Sequence, residues 1–337
     1  MNRNIAINGA GGEIGRGLLR NNVLRSEEGK LPITHLVEGH LSRYEMIKLL
    51  QDDPVRGEFP VDVRSDGDDK IIIGGDVLKV IRAQVNEMVN WRDNNVWGVF
   101  EATGARVKEE LAEKHMSEGG AEKVLVTAPT KGNGSIAHTL IPGYNEETYN
   151  SDNHHVCTNE SCTTKSAIHA TKALDDKFGV RALSLTTVHA ETGQEKRDLA
   201  ASMGLVDDLS SLGFNPQPTG SQGALSKLFP HIDVSAEAYR IPTSDGSVSD
   251  ITFKLDKRTT RSEVEKCLEE AVQDGIWQII NEMNDSAKLI GNPHDAVLDS
   301  RKTVILDGNI VRISAGYDNA NAPTRSALDA MEIMRNS

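Results

Sequence analysis

The chain is short of cysteine, aromatic residues and positive charge, and each shortage removes a class of protein. Three cysteines among 337 residues cannot form a fully paired disulfide framework, which fits a reducing compartment rather than a disulfide-stapled secreted fold. Aromatic residues make up 4% of the sequence, and no apolar run approaches the roughly 20 residues needed to span a bilayer. The 37 Lys and Arg face 50 Asp and Glu, a formal net charge of −13. That balance argues against nucleic acid or anionic membrane as the main partner, although a local basic pocket could still hold a small anion. The opening "MNRNIAINGAGGEIGRG" lacks the apolar core of a signal peptide, so cytosol is the expected setting. No repeat or low-complexity tract interrupts the chain, no metal is expected, and the length allows two domains, each with its own core.

The first part alternates strand and helix patterns. "NIAINGA", "ITHLVEG", "KIIIGG", "LKVIRA", "VWGVFEATG" and "KVLVTAP" read as strands; "IGRGLLRNNVL", "RYEMIKLLQ" and "VKEELAEKHMSEG" read as helices. Such alternation predicts a mostly parallel sheet covered by helices. Later runs, "RALSLTTVHA", "EAYRIPT", "SVSDITFKL" and "TVILDGNIVRISAGYD", alternate with period two and predict an antiparallel sheet. Helices are expected around 222–229, 261–272 and 275–284. The fold class is therefore α/β: a Rossmann-type domain over 1–160, with a C-terminal helix over 322–337 packing back on it, and an α+β domain with a mostly antiparallel sheet over 161–315; the motifs that follow make the first the dinucleotide-binding domain and the second the catalytic domain.

The first strand runs into Gly9, Gly12 and Gly15 and then a helix. Glycines there permit a tight turn and let backbone approach a pyrophosphate resting on the helix N-terminus. The spacing is G-x-x-G-x-x-G, or G-x-G-x-x-x-G, and a ligand-free turn is the plain alternative. Position supports the dinucleotide reading, because Glu38 at the end of the second strand falls where a ribose-binding acid should. Its charge would repel a 2′-phosphate, which favours NAD; His40 and Arg43 keep NADP open. The expected cofactor segment is Gly9, Gly12, Glu13, Ile14 and Gly15, with Glu38.

In "VCTNESCTTKSAIHATKALDDKFG" a cysteine stands where a helix should begin. Asn159, Ser161 and Thr163 are candidate N-caps and Gly179 a candidate stop. A thiol in the first turn faces unpaired N–H groups and the positive end of the helix dipole, so Cys162 is expected to titrate low. Cys267, in "RSEVEKCLEEAVQDG", reads as a small buried apolar residue. "SLTTVHAETG" places His189 at a strand end, and a thiol and an imidazole so placed suit nucleophilic catalysis. With a nicotinamide site, the pair suggests thiol addition to an aldehyde, hydride loss and a thioester resolved by water or phosphate.

"ESCTTK" and "TTVHAETG" resemble the nucleophile and base segments of the glyceraldehyde-3-phosphate dehydrogenase family, which includes erythrose-4-phosphate dehydrogenase. "INGAGGEIGR", "DDPVRGEF", "EATG", "TAPTKG", "AYRIPT" and "GYDNA" fall in the family's order along essentially the whole chain. The resemblance implies Cys162 as nucleophile and His189 as base, with the Cys162 N–H helping to bind the oxyanion. It implies that Thr103 and Gly104 lie along the dinucleotide and that Asn319 holds the nicotinamide carboxamide. It implies phosphate contacts from Ser161, Thr163, Thr192, Thr219, Gly220 and Arg240, whose guanidinium fork suits phosphate oxygens. A homotetramer is implied as well, with a small phosphorylated aldehyde and inorganic phosphate as partners.

The sequence departs from the pattern near the site. Lys165 replaces the family's asparagine; a cation there lowers the thiol pKa further, reaches a different anionic substrate, or points to solvent. Gln194 replaces an aspartate, and Asp207 and Asp208 fall where positive charge is usual. The leading reading is NAD-dependent oxidation of a phosphorylated aldehyde, by default glyceraldehyde 3-phosphate, to an acyl phosphate. The alternatives are another phospho- or phosphono-aldehyde, erythrose 4-phosphate, a catalytically silent NAD-binding regulator, and a semialdehyde dehydrogenase.

Overall fold

The structure is a computed structural model and describes residues 3–132, 134–191, 215–273 and 275–337. It comprises two compact units, Met1–Glu160 with Pro323–Ser337, and Ser161–Ala322.

In the first unit, strand Ile5–Asn8 is buried throughout and lies parallel between Ile33–Glu38 and Gly98–Glu101. Beyond Gly98–Glu101 come Lys123–Val126, Val156–Thr158 and Ala137–Thr139. Beyond Ile33–Glu38 come Asp76–Arg82, Lys70–Ile73 and Val63–Asp66, the last two antiparallel, making nine strands among the described residues. The inner strands are near-continuous apolar runs, as strands covered on both faces must be. The chain leaves Ile5–Asn8 toward one edge and returns to its other side at Gly98–Glu101. In sheets of this type that reversal opens a crevice at the carboxyl ends of the two strands, where ligands bind. The core joins Ile5, Ile7, Leu18, Leu36 and Phe100 to Leu328, Met331 and Met334 of helix Asn321–Asn336. Asn21 Nδ2 ties that helix down by donating to Thr324 Oγ1 at 2.7 Å.

The second unit is built on an eight-stranded sheet among the described residues. Its order is Asn215–Pro218, Asp233–Ile241, Val180–Ala190, Ser247–Leu255, Ile310–Tyr317, Ala296–Asp299 and Trp277–Ile280, with Val304–Leu306 alongside Ile310–Tyr317. Most pairings are antiparallel; Val180–Ala190 with Asp233–Ile241 and Trp277–Ile280 with Ala296–Asp299 are parallel. Helix Cys162–Phe178 packs on this sheet and on helix Arg261–Ala271. Helices form at Ser221–Leu228 and Arg261–Ala271, but the helix expected over 275–284 does not. Gly275, at φ +77°, breaks the chain direction there, and the bulky run Trp277–Ile280 pairs with Ala296–Asp299 as a strand.

Candidate active site

The glycine turn of the first unit has the shape that a pyrophosphate needs. Gly9 sits at φ +91°, and a Cβ there would lie 2.9 Å from the Thr103 nitrogen. A Cβ on Gly15 would lie 2.3 Å from the Gly9 carbonyl oxygen. Only glycine fits either place. Gly12 caps helix Glu13–Val23 without any side-chain hydrogen bond, so the first-turn N–H groups of Glu13, Ile14 and Gly15 form an anion-binding end. Glu13 is paired with Arg56 at 3.4 Å. Gly104, at φ +71°, has open space where a Cβ would stand.

Glu38 ends its strand buried and does more than the sequence suggested. Its Oε2 accepts from Gly11 N at 2.9 Å, and its Oε1 from His40 N at 2.7 Å and Leu41 N at 3.0 Å. The carboxylate thus braces the glycine turn and the next loop, and it keeps lone-pair capacity on Oε2 for a ribose hydroxyl. These features fit a dinucleotide with a free 2′-hydroxyl. Thr103 is held by Glu101, whose Oε1 accepts from its backbone N–H at 2.9 Å and from its hydroxyl.

In the second unit a helix begins at Cys162, the expected nucleophile. Ser161 is its N-cap, the Oγ accepting from Thr164 N at 3.0 Å, and Gly179 ends it at φ +70°. Cys162 Sγ lies 3.4 Å from His189 Nε2. Burial pushes the thiol up to about 11, against the pull of Arg240 and Lys165. The low-titrating thiol expected from the helix position is therefore not found, because loss of solvation outweighs the nearby cations. Lys165 does not reach solvent either; it is 1% exposed.

The parallel register sets Arg240 opposite His189. Its Nη1 meets His189 Nδ1 and donates to the Ala190 carbonyl at 3.2 Å. Asn319 Nδ2 stands 3.2 Å from the same ring nitrogen. Ser161 Oγ is 3.0 Å from Ser221 Oγ, to which Thr219 Oγ1 donates at 3.1 Å, so these hydroxyls cluster beside Gly220 at the start of helix Ser221–Leu228. Thr163 is turned away from that cluster: its Oγ1 lies 3.0 Å from the buried Tyr317 hydroxyl, which Thr187 also meets at 2.6 Å. Thr192, Gln194, Asp207 and Asp208 lie outside the described residues. Sequence reasoning missed Ser221, Tyr317, Ser247 and Asp245; the "SDGS" turn after Arg240 was the one available signal for the last two.

A glycine-turn dinucleotide unit and a thiol–imidazole unit in one chain mark a nicotinamide-dependent oxidoreductase. The family model for the NAD-binding domain of glyceraldehyde 3-phosphate dehydrogenase matches residues 3–109, and that for its C-terminal domain matches 161–319. Glyceraldehyde-3-phosphate dehydrogenase of Chlamydia pneumoniae is 32% identical over 341 residues, covering 97% of each chain. Glyceraldehyde-3-phosphate dehydrogenase 1 of Caenorhabditis elegans is 30% identical over 337 residues, covering 97% of this chain and 96% of the relative. The Bacillus subtilis enzyme of the same name is 28% identical, covering 96% of each. The chain belongs to the glyceraldehyde-3-phosphate dehydrogenase family and is an NAD-dependent dehydrogenase of the phosphorylating kind.

Proposed function

We propose that the chain oxidises a small phosphorylated aldehyde, by default glyceraldehyde 3-phosphate, to an acyl phosphate through a thioester on Cys162. The observation that carries this reading is the 3.4 Å approach of Cys162 Sγ to His189 Nε2. His189 Nε2 takes the thiol proton as Sγ adds to the aldehyde carbon. The Cys162 N–H, at the helix N-terminus, stabilises the oxygen that gains charge. Bound NAD supplies the hydride acceptor for the resulting hemithioacetal. Inorganic phosphate then attacks the thioester, and the thiolate leaves and is reprotonated by His189. Gly9, Gly12, Glu13, Ile14, Gly15, Glu38, Thr103 and Gly104 would hold the dinucleotide, and Asn319 its carboxamide. Arg240, Ser161, Thr219 and Gly220 would receive phosphate oxygens. A homotetramer in the cytosol belongs to the same proposal, supported by family membership.

A different phospho- or phosphono-aldehyde is the second reading. It is favoured by Lys165, a buried cation within electrostatic reach of the thiol, which would suit a substrate with added negative charge near the reacting carbon. The test is NADH formation from glyceraldehyde 3-phosphate and NAD, with and without inorganic phosphate. Phosphate-dependent turnover that vanishes in Cys162→Ser, with NAD binding retained, is the expected result. Full activity in Cys162→Ser would overturn the mechanism.

A further inference from the structure

Asp245 lies in the turn before strand Ser247–Leu255 and is wholly buried. Its Oδ1 accepts from Gly246 N at 2.6 Å and from Asn319 N at 2.8 Å. Gly246 sits at φ +85°, and a Cβ there would lie 2.2 Å from the Ser286 carbonyl oxygen, so the turn is wedged in place. Asn319 is fixed a second time. Its Oδ1 accepts from Ser247 Oγ at 2.6 Å, and Ser247 Oγ in turn accepts from Ala190 N at 3.0 Å. That arrangement leaves Asn319 Nδ2 facing His189 Nδ1, which also lies 2.6 Å from the Ala190 carbonyl. On its other side the ring presents Nε2 to Cys162. A ring whose Nε2 is free to take a proton carries its hydrogen on Nδ1 and donates it to that carbonyl, so a chain from Asp245 through Asn319, Ser247 and Ala190 ends on the imidazole.

We propose that Asp245 is a positioning residue for His189: through Asn319, and with Ser247, it holds the ring so that Nε2 faces the thiol. The inference rests on the thiol–imidazole reading of the site. The charge of Asp245 bears on the proton transfer. When His189 takes the thiol proton, the ring becomes cationic with the Arg240 guanidinium already against it. Among the described residues, charged groups act on the thiol from three elements: Arg240 on strand Asp233–Ile241, Lys165 on the thiol's own helix, and Asp245 on the turn. Tyr317, edge-on to His189 with ring centroids 6.0 Å apart, is held neutral by burial. Asp245 is the negative member of this set; it favours a protonated ring and disfavours a thiolate.

Charge and positioning separate in two variants. Asp245→Asn keeps an acceptor and removes the charge. Iodoacetamide labelling of Cys162 should then have its pH midpoint at lower pH than in the parent protein, while kcat with glyceraldehyde 3-phosphate falls roughly tenfold or more, the usual effect of losing a supporting group. Ser247→Ala keeps the charge and cuts the second tie on Asn319, so kcat should fall with the labelling midpoint unmoved. Far-UV circular dichroism should be unchanged in both. Parental kcat in both variants would overturn the proposal. So would loss of turnover and labelling together with loss of the folded circular-dichroism signal, which would make Asp245 part of the scaffold only. The labelling midpoint does not depend on the aldehyde or on turnover, so failure of the proposed reaction, seen as an active Cys162→Ser, is told apart from failure of this inference.

Discussion

Glu101→Gln should cost the first unit about 2–4 kcal/mol, and the figure follows from counting donors. Glu101 is 2% exposed and stands at the carboxyl end of the strand beside Ile5–Asn8. Its Oε2 accepts from Asn8 Nδ2 at 2.7 Å and meets His115 Nε2 at 2.7 Å. Its Oε1 accepts from Thr103 N at 2.9 Å and from the Thr103 hydroxyl. Trp91 Nε1 donates to His115 Nδ1 at 3.1 Å; an indole N–H can only donate, so the His115 proton must sit on Nε2 and point at Glu101. All four groups around the carboxylate are thus donors. A glutamine has one oxygen and one amino group. With the amino group toward Thr103 it faces a backbone N–H; with the amino group toward His115 it faces a ring N–H that the Trp91 bond prevents from moving to Nδ1. Either orientation leaves an N–H without an acceptor, fully buried at His115 or part-buried at Thr103, at about 1–3 kcal/mol, and weakens charge-assisted bonds of similar size. Urea unfolding followed by tryptophan fluorescence is the assay, since Trp91 is fully buried in this network. Burial raises the Glu101 pKa, but its hydrogen bonds, first of all that from His115, outweigh this and leave it lowered. The contribution is therefore present above the ordinary carboxylate range and lost in acid as pH falls through the folded pKa, so the deficit of the variant should shrink there. A loss below about 0.5 kcal/mol at neutral pH would refute the donor count.

Gly15→Ala and Gly104→Ala should separate two kinds of glycine. The first drives a Cβ to 2.3 Å from a backbone oxygen and should weaken NAD binding at least tenfold by calorimetric titration. The second meets only the strain of φ +71° in open space, about 1–2 kcal/mol, with affinity reduced less. Iodoacetamide labelling of Cys162 should be slow at neutral pH and still rising beyond pH 9, because the thiol is neutral below about 11; a plateau below pH 7 would mean a standing thiolate–imidazolium pair instead. Arg240→Ala should raise KM for a phosphorylated aldehyde and also lower kcat, since Nη1 rests against His189. A change confined to KM would show that the contact with the ring is idle.

Local rules made much of this legible in sequence. Strand–helix alternation with apolar strands gave the parallel sheet, and period-two runs gave the mostly antiparallel one. Ser161 and Gly179 were among the candidate ends of helix Cys162–Phe178, because caps and stops are short-range chemistry. Properties set by distant neighbours stayed hidden. The thiol pKa depends on burial, which no helix position reveals, and whether Lys165 faces the site or solvent is open until the chain folds over it. The run 275–284 carries helix-compatible residues, and only its partner strand Ala296–Asp299 turns it into a strand. Asp245 and Asn319 are 74 residues apart, so their bond has no local trace.

The central claim is a thioester on Cys162. Mixing the protein with NAD and glyceraldehyde 3-phosphate, without inorganic phosphate, should give a burst of one NADH per chain and an acyl adduct on the Cys162 peptide by mass spectrometry; added phosphate should release the adduct. A burst of the same size in Cys162→Ser, or an adduct on any other residue, would contradict the account.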